Sequence, residues 1–189
     1  MQIIDLKREN GAHMQQAAQI LYDAFKADWP NAWPTLDEAL EEVQDSLNED
    51  QISRIAVDEE GRVLGWVAGF PEYDGNTWEL HPLAVAPNAQ GQGVGRALVM
   101  DFEAQVAARG AVTIMLGSDD ETDMTSLSGV DLYPNLWEHI ATIENKRRHP
   151  FTFYQKVGFV IVGVIPDANG PGKPDIFMAK RVTTQNGRS

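Results

Sequence analysis

The sequence predicts one globular domain of mixed α/β class, and three observations support this prediction. The chain has 189 residues, of which 43% are hydrophobic and 23% are charged, which is enough for a single ordinary core. Runs rich in apolar residues over 53–57, 63–70 and 77–86 predict strands. An apolar stripe at helical spacing over 94–109 precedes an apolar run at 112–116, so a strand, a helix and a strand follow one another.

The first part of the chain is predicted to form a strand and two helices. Residues 3–6 form a short apolar run, and apolar residues at helical spacing then predict a helix that ends near Asp28. The segment 29–34 contains two prolines, which lack the amide N–H that a helix needs. Thr35 and Glu38 have the spacing of a capping box, so a second helix is predicted to begin there.

The central strand, 77–86, contains a proline and two titratable side chains. Pro82 cannot donate to a sheet ladder, and in a central strand it usually marks a β-bulge. Strict alternation along the strand would place four side chains on one face. These side chains are Glu79, His81, Leu83 and Val85.

The last third of the chain is predicted to be less regular. Gly110 ends the long helix in the usual C-cap position, and residues 118–149 show only a short helical pattern. A short helix is expected from Pro150 to Gly158, followed by two closing strands. The predicted domain covers residues 1–182, and residues 183–189 are predicted to be a loose polar tail.

Composition excludes several classes of protein. The chain has no cysteine, which excludes a thiolate nucleophile and a cysteine-ligated metal. Without a signal peptide pattern or a run of about 20 apolar residues, it is expected to be cytoplasmic and not to bind a membrane. The net charge of −13 disfavours nucleic acid as a partner and suits a cationic ligand. Many proteins are acidic without binding a cation, so an acidic surface with no role in binding stays an open alternative.

A glycine-rich turn, Gln90–Arg96, lies between the central strand and the long helix. Backbone N–H groups and the helix dipole at such a position favour an anion, and glycines let phosphate oxygens approach those N–H groups. The spacing Gly91-x-Gly93-x-Gly95 differs from the dinucleotide fingerprint, and no P-loop Lys-Ser/Thr follows. The turn therefore predicts a phosphate ligand of another kind, with a tight structural turn as the alternative.

Two motifs resemble the GNAT family of N-acetyltransferases. Gln90-x-x-Gly93-x-Gly95 after Leu83-Ala-Val-Ala-Pro87 is similar to the family's acetyl-CoA motif, and Phe153-Tyr-Gln-Lys-Val-Gly-Phe159 is similar to its Phe-Tyr-x-x-x-Gly-Phe segment. The resemblance covers residues 1–181, apart from the unusually long stretch 118–149. It implies a central mixed, mostly antiparallel sheet splayed at a bulged strand, with acetyl-CoA as co-substrate. The implied cofactor-binding residues are Leu83, Ala84, Val85, Gln90, Gly91, Gln92, Gly93, Val94, Gly95, Arg96 and Tyr154.

Acetyl transfer to an amine needs a base for the ammonium proton and an acid for the departing thiolate. In the resembled family the base commonly projects from the central strand, which suggests Glu79 first and His81 second, with a water relay as a further route. Tyr154 corresponds to the family's general acid, because a phenol with a pKa of about 10 keeps its proton at neutral pH. Alternatives are a structural His81, a core Tyr154, and a Glu79 that only contacts the substrate. No metal is expected.

The acceptor is predicted from aromatic and acidic side chains together. Tyr73-Asp74, Ser118-Asp119 and the segment 163–177 resemble features of aminoglycoside 6'-N-acetyltransferases, which implies an aminoglycoside acceptor. The suggested substrate-binding residues are Trp29, Trp33, Tyr73, Glu79, Asp119 and Asp120. Carboxylates and aromatic rings both suit ammonium groups. Tryptophans that only anchor packing, and aspartates that only cap the following segment, stay open as alternatives. Alternatives are another amine, such as a polyamine, an amino acid or a protein N-terminus, and a non-catalytic acetyl-CoA sensor. A homodimer is also expected from the resemblance.

Overall fold

The computed structural model describes residues 1–182, so the predicted polar tail at 183–189 lies outside the described residues. The chain forms two compact units, one of Met1–Ile114 with Val182 and one of Met115–Arg181. A single domain over residues 1–182 therefore stays a prediction. Within residues 1–182, no helix is both long and apolar enough to cross a membrane.

The first unit consists of an antiparallel sheet with three helices. In chain order its elements are β1 (Gln2–Asp5), α1 (Gly11–Phe25), α2 (Leu36–Asp45), β2 (Ile52–Val57), β3 (Val63–Glu72), β4 (Thr77–Val85) and α3 (Val94–Ala108). Strands β1 to β4 pair in sequence order, each antiparallel to the next. The capping box predicted for α2 is confirmed, because Thr35 Oγ1 accepts the Glu38 N–H at 3.2 Å and Glu38 Oε2 accepts the Thr35 N–H at 3.1 Å.

The second unit contains shorter elements. Strand β5 (Thr113–Leu116) begins in the first unit and ends in the second. It is followed by α4 (Leu136–Ala141), α5 (Phe151–Lys156), β6 (Val160–Ile165) and β7 (Asp175–Arg181), and β6 pairs antiparallel with β7. The mixed α/β class with mostly antiparallel pairing is thus confirmed.

The sheet of the first unit carries helices on both faces. Trp66 and Ala68 on β3 belong to the buried cluster that includes residues of α1 and α2. A Cβ on Gly65 would lie 3.0 Å from Leu98 on α3, and a Cβ on Gly69 would lie 2.4 Å from Phe102 on the same helix. Because side chains alternate along a strand, even-numbered residues of this part of β3 face α1 and α2, and odd-numbered residues face α3.

The predicted bulge in β4 is present. Val67 pairs with Leu83 and Gly69 pairs with Leu80, so two residues of β4, His81 and Pro82, lie opposite Ala68 alone. One extra residue in β4 is the definition of a β-bulge. The proline prediction for this strand is therefore confirmed.

The bulge corrects the predicted face of β4. Residues opposite one another share a face of the sheet, so Leu80 and Leu83 lie on the α3 face with Gly69 and Val67. Glu79 pairs with Phe70 and faces α1 and α2 instead. The expectation that Leu83 and Val85 share a face with Glu79 and His81 is wrong, because the extra residue inverts the alternation beyond it.

We expect Gly69→Ala to lower the free energy of unfolding by about 3 kcal/mol, at the upper end of overpacking effects. The added methyl group would lie 2.2 Å from the Glu79 carbonyl oxygen, so the strand or the helix must move. Gly163→Ala is the matched control, because Gly163 also lies at a register shift and its Cβ would meet no atom within 4 Å. Urea unfolding of both variants measures the difference. Equal losses would contradict the close approach of β4 and α3 to Gly69.

Candidate active site

The glycine-rich turn forms an open backbone surface at the start of α3. Gly91 and Gly93 have φ values of 73° and 88°, and a Cβ at either position would meet no atom within 4 Å. Gly93 is the N-cap of α3 and, within residues 1–182, no side chain caps this end. The first helical bond runs from the Ala97 N–H to the Gly93 carbonyl at 3.0 Å. The preceding N–H groups of Val94 and Gly95 are therefore placed for an anion.

Two glutamine side chains stabilise this turn through hydrogen bonds to nearby backbone carbonyls. The Gln90 side-chain amide donates to the Val85 carbonyl at 3.3 Å, and the Gln92 amide donates to the Asn88 carbonyl at 2.7 Å. Both side chains fold back on the chain. The backbone of the turn therefore suits a pyrophosphate. The space in front of the two left-handed glycines is open, and a Cβ at either position would occupy it.

Glu79 lies in the first half of β4, near two other titratable groups. Burial raises the pKa of its carboxyl above the ordinary value, the charge of His81 opposes this shift, and the charge of Glu72 adds to it. A carboxylate with a raised pKa is a stronger base than an ordinary one. The environment of Glu79 therefore suits proton transfer, which is the role the sequence suggests.

His81 lies near one residue of α2, Glu42, and one residue that precedes this helix, Trp33. Its Nε2 lies 3.9 Å from Glu42 Oε1, and its ring centroid lies 5.8 Å from that of Trp33. The Trp33 indole N–H donates to Glu42 Oε2 at 3.3 Å. The structure thus brings together two predicted site residues, His81 and Trp33, through a third that sequence reasoning missed. Glu42 lies in an acidic helix, and no sequence signal separates it from its neighbour Glu41.

The other predicted aromatic residues of the first unit differ in their surroundings. Phe25 packs against Trp29 at 5.4 Å and against Trp33 at 4.9 Å between ring centroids, so both tryptophans join the end of α1. Tyr73 begins a short 3-10 turn and is 71% exposed. No contact among the described residues connects Tyr73 with His81, so its role in binding stays a prediction.

Tyr154 lies on α5 in the second unit between two phenylalanines. Its ring centroid is 5.1 Å from that of Phe153 and 5.6 Å from that of Phe159, and both contacts are edge-to-face. Burial raises the pKa of the phenol well above its ordinary value. The hydroxyl therefore carries its proton at neutral pH, as a general acid must.

The two predicted aspartates of the second unit are tied to its backbone. Asp120 is fully buried, and its carboxylate accepts the N–H groups of Met124 and Thr125 at 2.8 and 2.7 Å. Asp119 accepts a hydrogen bond from the Asn169 side chain, and its carbonyl lies 3.1 Å from His149 Nε2. Asp120 thus stabilises a loop, whereas the Asp119 carboxylate is only partly buried.

Residues 18–136 match the sequence model of the Acetyltransferase (GNAT) family, which is more than half of the chain. The chain belongs to the GNAT acetyltransferase family. The match includes the glycine-rich turn, Glu79 and His81, and it ends before Tyr154. Among residues 1–182 no group of three or more histidine and acidic side chains could hold a metal ion.

Solved structures of GNAT relatives cover nearly the whole chain. A crystal structure of an aminoglycoside 6'-N-acetyltransferase complexed with coenzyme A is 38% identical, with 99% of this chain and 100% of that chain covered and a TM-score of 0.89. The aminoglycoside 6'-N-acetyltransferase from Enterococcus faecium is 38% identical over the same shares, with a TM-score of 0.87. An aminoglycoside 6'-acetyltransferase type Ii is 31% identical over 98% and 100%, with a TM-score of 0.73. No curated protein matches the chain.

We expect the stability of this GNAT protein to fall in acid partly through His149. Its Nδ1 accepts the Phe151 N–H at 3.2 Å, and burial lowers the pKa of the imidazole below its ordinary value. The unfolded chain then binds the proton more readily, so His149 contributes stability that is present above pH ~6.5 and lost as pH falls through the folded pKa. Binding of one proton changes the slope of the unfolding free energy against pH by at most about 1.4 kcal/mol per pH unit.

Urea unfolding between pH 8 and pH 5 measures this dependence. His149→Gln should be less stable at pH 8 and should flatten the decline towards pH 5. His139→Gln, which changes a histidine at the end of α4, is the control and should keep the decline of the unchanged protein. An unaltered slope in His149→Gln would show that other groups cause the acid sensitivity.

Proposed function

We propose that this enzyme transfers the acetyl group of acetyl-CoA to the 6'-amino group of an aminoglycoside, directly, within a ternary complex. One observation carries the proposal: the chain is 38% identical, over 99% of its length, to an aminoglycoside 6'-N-acetyltransferase whose structure contains coenzyme A. The acidic net charge of −13 supports a cationic acceptor. Cytoplasmic location and a homodimer stay predictions.

The glycine-rich turn would hold the pyrophosphate of acetyl-CoA. The N–H groups at the start of α3 point to this position, and Gly91 and Gly93 leave room for the phosphate oxygens. When bound, acetyl-CoA supplies an activated acetyl group as a thioester. The backbone of Leu83 to Val85, just beyond the bulge, would bind the pantetheine arm, and an N–H near Val85 would polarise the acetyl carbonyl.

The proposed proton transfers follow from the bonds that change. The acceptor nitrogen forms a bond to the carbonyl carbon, and the carbon–sulfur bond breaks. Glu79 takes the proton of the acceptor ammonium, directly or through His81 and water, because its raised pKa strengthens it as a base. The nitrogen loses a second proton as the amide forms, and this proton passes to solvent. Tyr154 gives its proton to the departing thiolate and regains one from solvent, a role that rests on the resemblance of its motif. Glu79 then returns its proton to solvent.

The acceptor would be held by aromatic rings and carboxylates. Trp33 and Glu79 lie beside His81, where a ring face and a negative charge suit an ammonium group. Trp29, Tyr73 and Asp119 are further proposed contacts. Asp120 is assigned to its loop here, because both of its oxygens already accept backbone N–H groups.

An acceptor screen tests the proposed function. Release of the coenzyme A thiol is measured with matched pairs of aminoglycosides that differ only in a 6'-amino or a 6'-hydroxyl group. We expect thiol release with the 6'-amino member and none above background with its 6'-hydroxyl partner. Equal thiol release with both members of a pair would contradict acetylation at the 6'-amino group. Turnover restricted to polyamines, amino acids or peptides would identify another acceptor, and tight acetyl-CoA binding without turnover would indicate a sensor.

Glu79→Gln should lower kcat roughly a hundredfold, the lower range for loss of a general base. In the unchanged enzyme kcat/KM should rise with pH as the carboxyl ionises, at a pH above the ordinary value for glutamate. The variant should lack this acid limb. Glu72→Gln provides the control, because removing its charge should move the limb to lower pH while keeping the rise. A limb that survives in Glu79→Gln would assign the base elsewhere.

A further inference from the structure

We propose that Glu42 is a positioning residue that fixes the ring orientation and tautomer of His81, with the proton on Nε2 and Nδ1 left as the proton acceptor. The inference deepens the proposed function, on which it rests, because it assigns how His81 would take part in the proton relay. Its basis is a chain of contacts within the first unit that connects α2 to the bulge of β4.

A hydrogen bond to a residue other than His81 orients the Glu42 carboxylate. Its Oε2 accepts the indole N–H of Trp33 at 3.3 Å, and its side chain is 30% exposed. The capping box of Thr35 and Glu38 fixes the start of α2, which lies between Trp33 and Glu42 in the chain. The carboxylate therefore has one oxygen engaged and the other, Oε1, directed towards the imidazole.

The electrostatic contact favours a proton on the imidazole nitrogen that faces Glu42. Glu42 Oε1 lies 3.9 Å from His81 Nε2, and an ionised carboxylate can only accept hydrogen bonds. The neutral imidazole is attracted to it when Nε2 is the protonated nitrogen. Nδ1 then carries the lone pair, since one ring nitrogen donates and the other accepts.

His81 needs such support because of its place in the bulge. It is one of two β4 residues opposite Ala68, and its side chain is 46% exposed. The Trp33 ring packs at 5.8 Å with an interplanar angle of 42°, which restricts the imidazole on one side. Trp33 therefore restricts the ring plane, and Glu42 Oε1 approaches the ring at Nε2.

A double-mutant cycle on thiol release tests the inference. Glu42→Gln keeps an oxygen for the Trp33 indole but presents an amide NH₂ to His81, which favours the opposite tautomer. We expect kcat/KM to fall about tenfold, within the range of couplings between contacting residues, and mainly through kcat. In a His81→Ala background the same change should have no further effect. A fall that persists there would overturn the inference and assign Glu42 to direct contact with the acceptor.

Glu41→Gln is the matched control, because it makes the same change of charge on the next residue of α2, where the side chain is exposed. It should leave kcat/KM within about twofold, the scale of ordinary surface substitutions. A loss equal to that of Glu42→Gln would overturn the inference, since it would show that the overall charge of the helix is responsible.

The tautomer can be observed without any turnover. The ¹⁵N chemical shifts of the four histidine rings, recorded at alkaline pH and assigned with His81→Ala, report which nitrogen is protonated. We expect His81 to be protonated on Nε2 in the unchanged protein and in Glu41→Gln, and to shift towards protonation on Nδ1 in Glu42→Gln. Unchanged shifts in Glu42→Gln would overturn the inference. This measurement does not need turnover, so it tests the role of Glu42 even if no aminoglycoside is acetylated. A failure of the proposed function is detected by the acceptor screen instead.

Discussion

The bulge in β4 is the constraint on which the first unit depends. One extra residue opposite Ala68 rotates the strand, so the part that carries Glu79 presents its polar side chains to the α1 and α2 face. Beyond the bulge, Leu83 faces α3. A regular strand would present all of these side chains on one surface. The irregularity therefore separates the side chains suited to an amine from the backbone suited to a thioester arm.

The proposed anionic co-substrate and the proposed cationic acceptor need charges of opposite sign in the protein. A protein with a net charge of −13 favours cationic ligands overall, yet the proposed co-substrate is an anion. At the start of α3 the N-terminal end of the helix dipole supplies positive potential, and Arg96 adds a cationic side chain in the first turn. Phosphate binding and an acidic acceptor region can then occur in one small protein.

Features set by neighbouring residues could be predicted from the sequence, and features set by distant contacts could not. The capping box, the glycine-rich turn and the Pro82 bulge were predictable, because each depends on a few adjacent residues. The face of Leu83 was not, since it depends on where the extra residue enters the register. Glu42 was missed for the same reason: only the packing of α2 brings it to His81. The backbone partners of Asp120 also lay beyond prediction, because they depend on the conformation of the loop that follows it.

The uncapped start of α3 has a consequence for the lifetime of the protein. Since Gly93 offers no side chain to the first turn, that turn is completed by whatever anion occupies it. A ligand that binds only the folded chain adds RT ln(1 + [L]/Kd) to its stability. Because α3 packs on β2, β3 and β4, this gain is shared by the whole sheet of the first unit. Resistance to heat and to proteases should then follow the supply of acetyl donor in the cell.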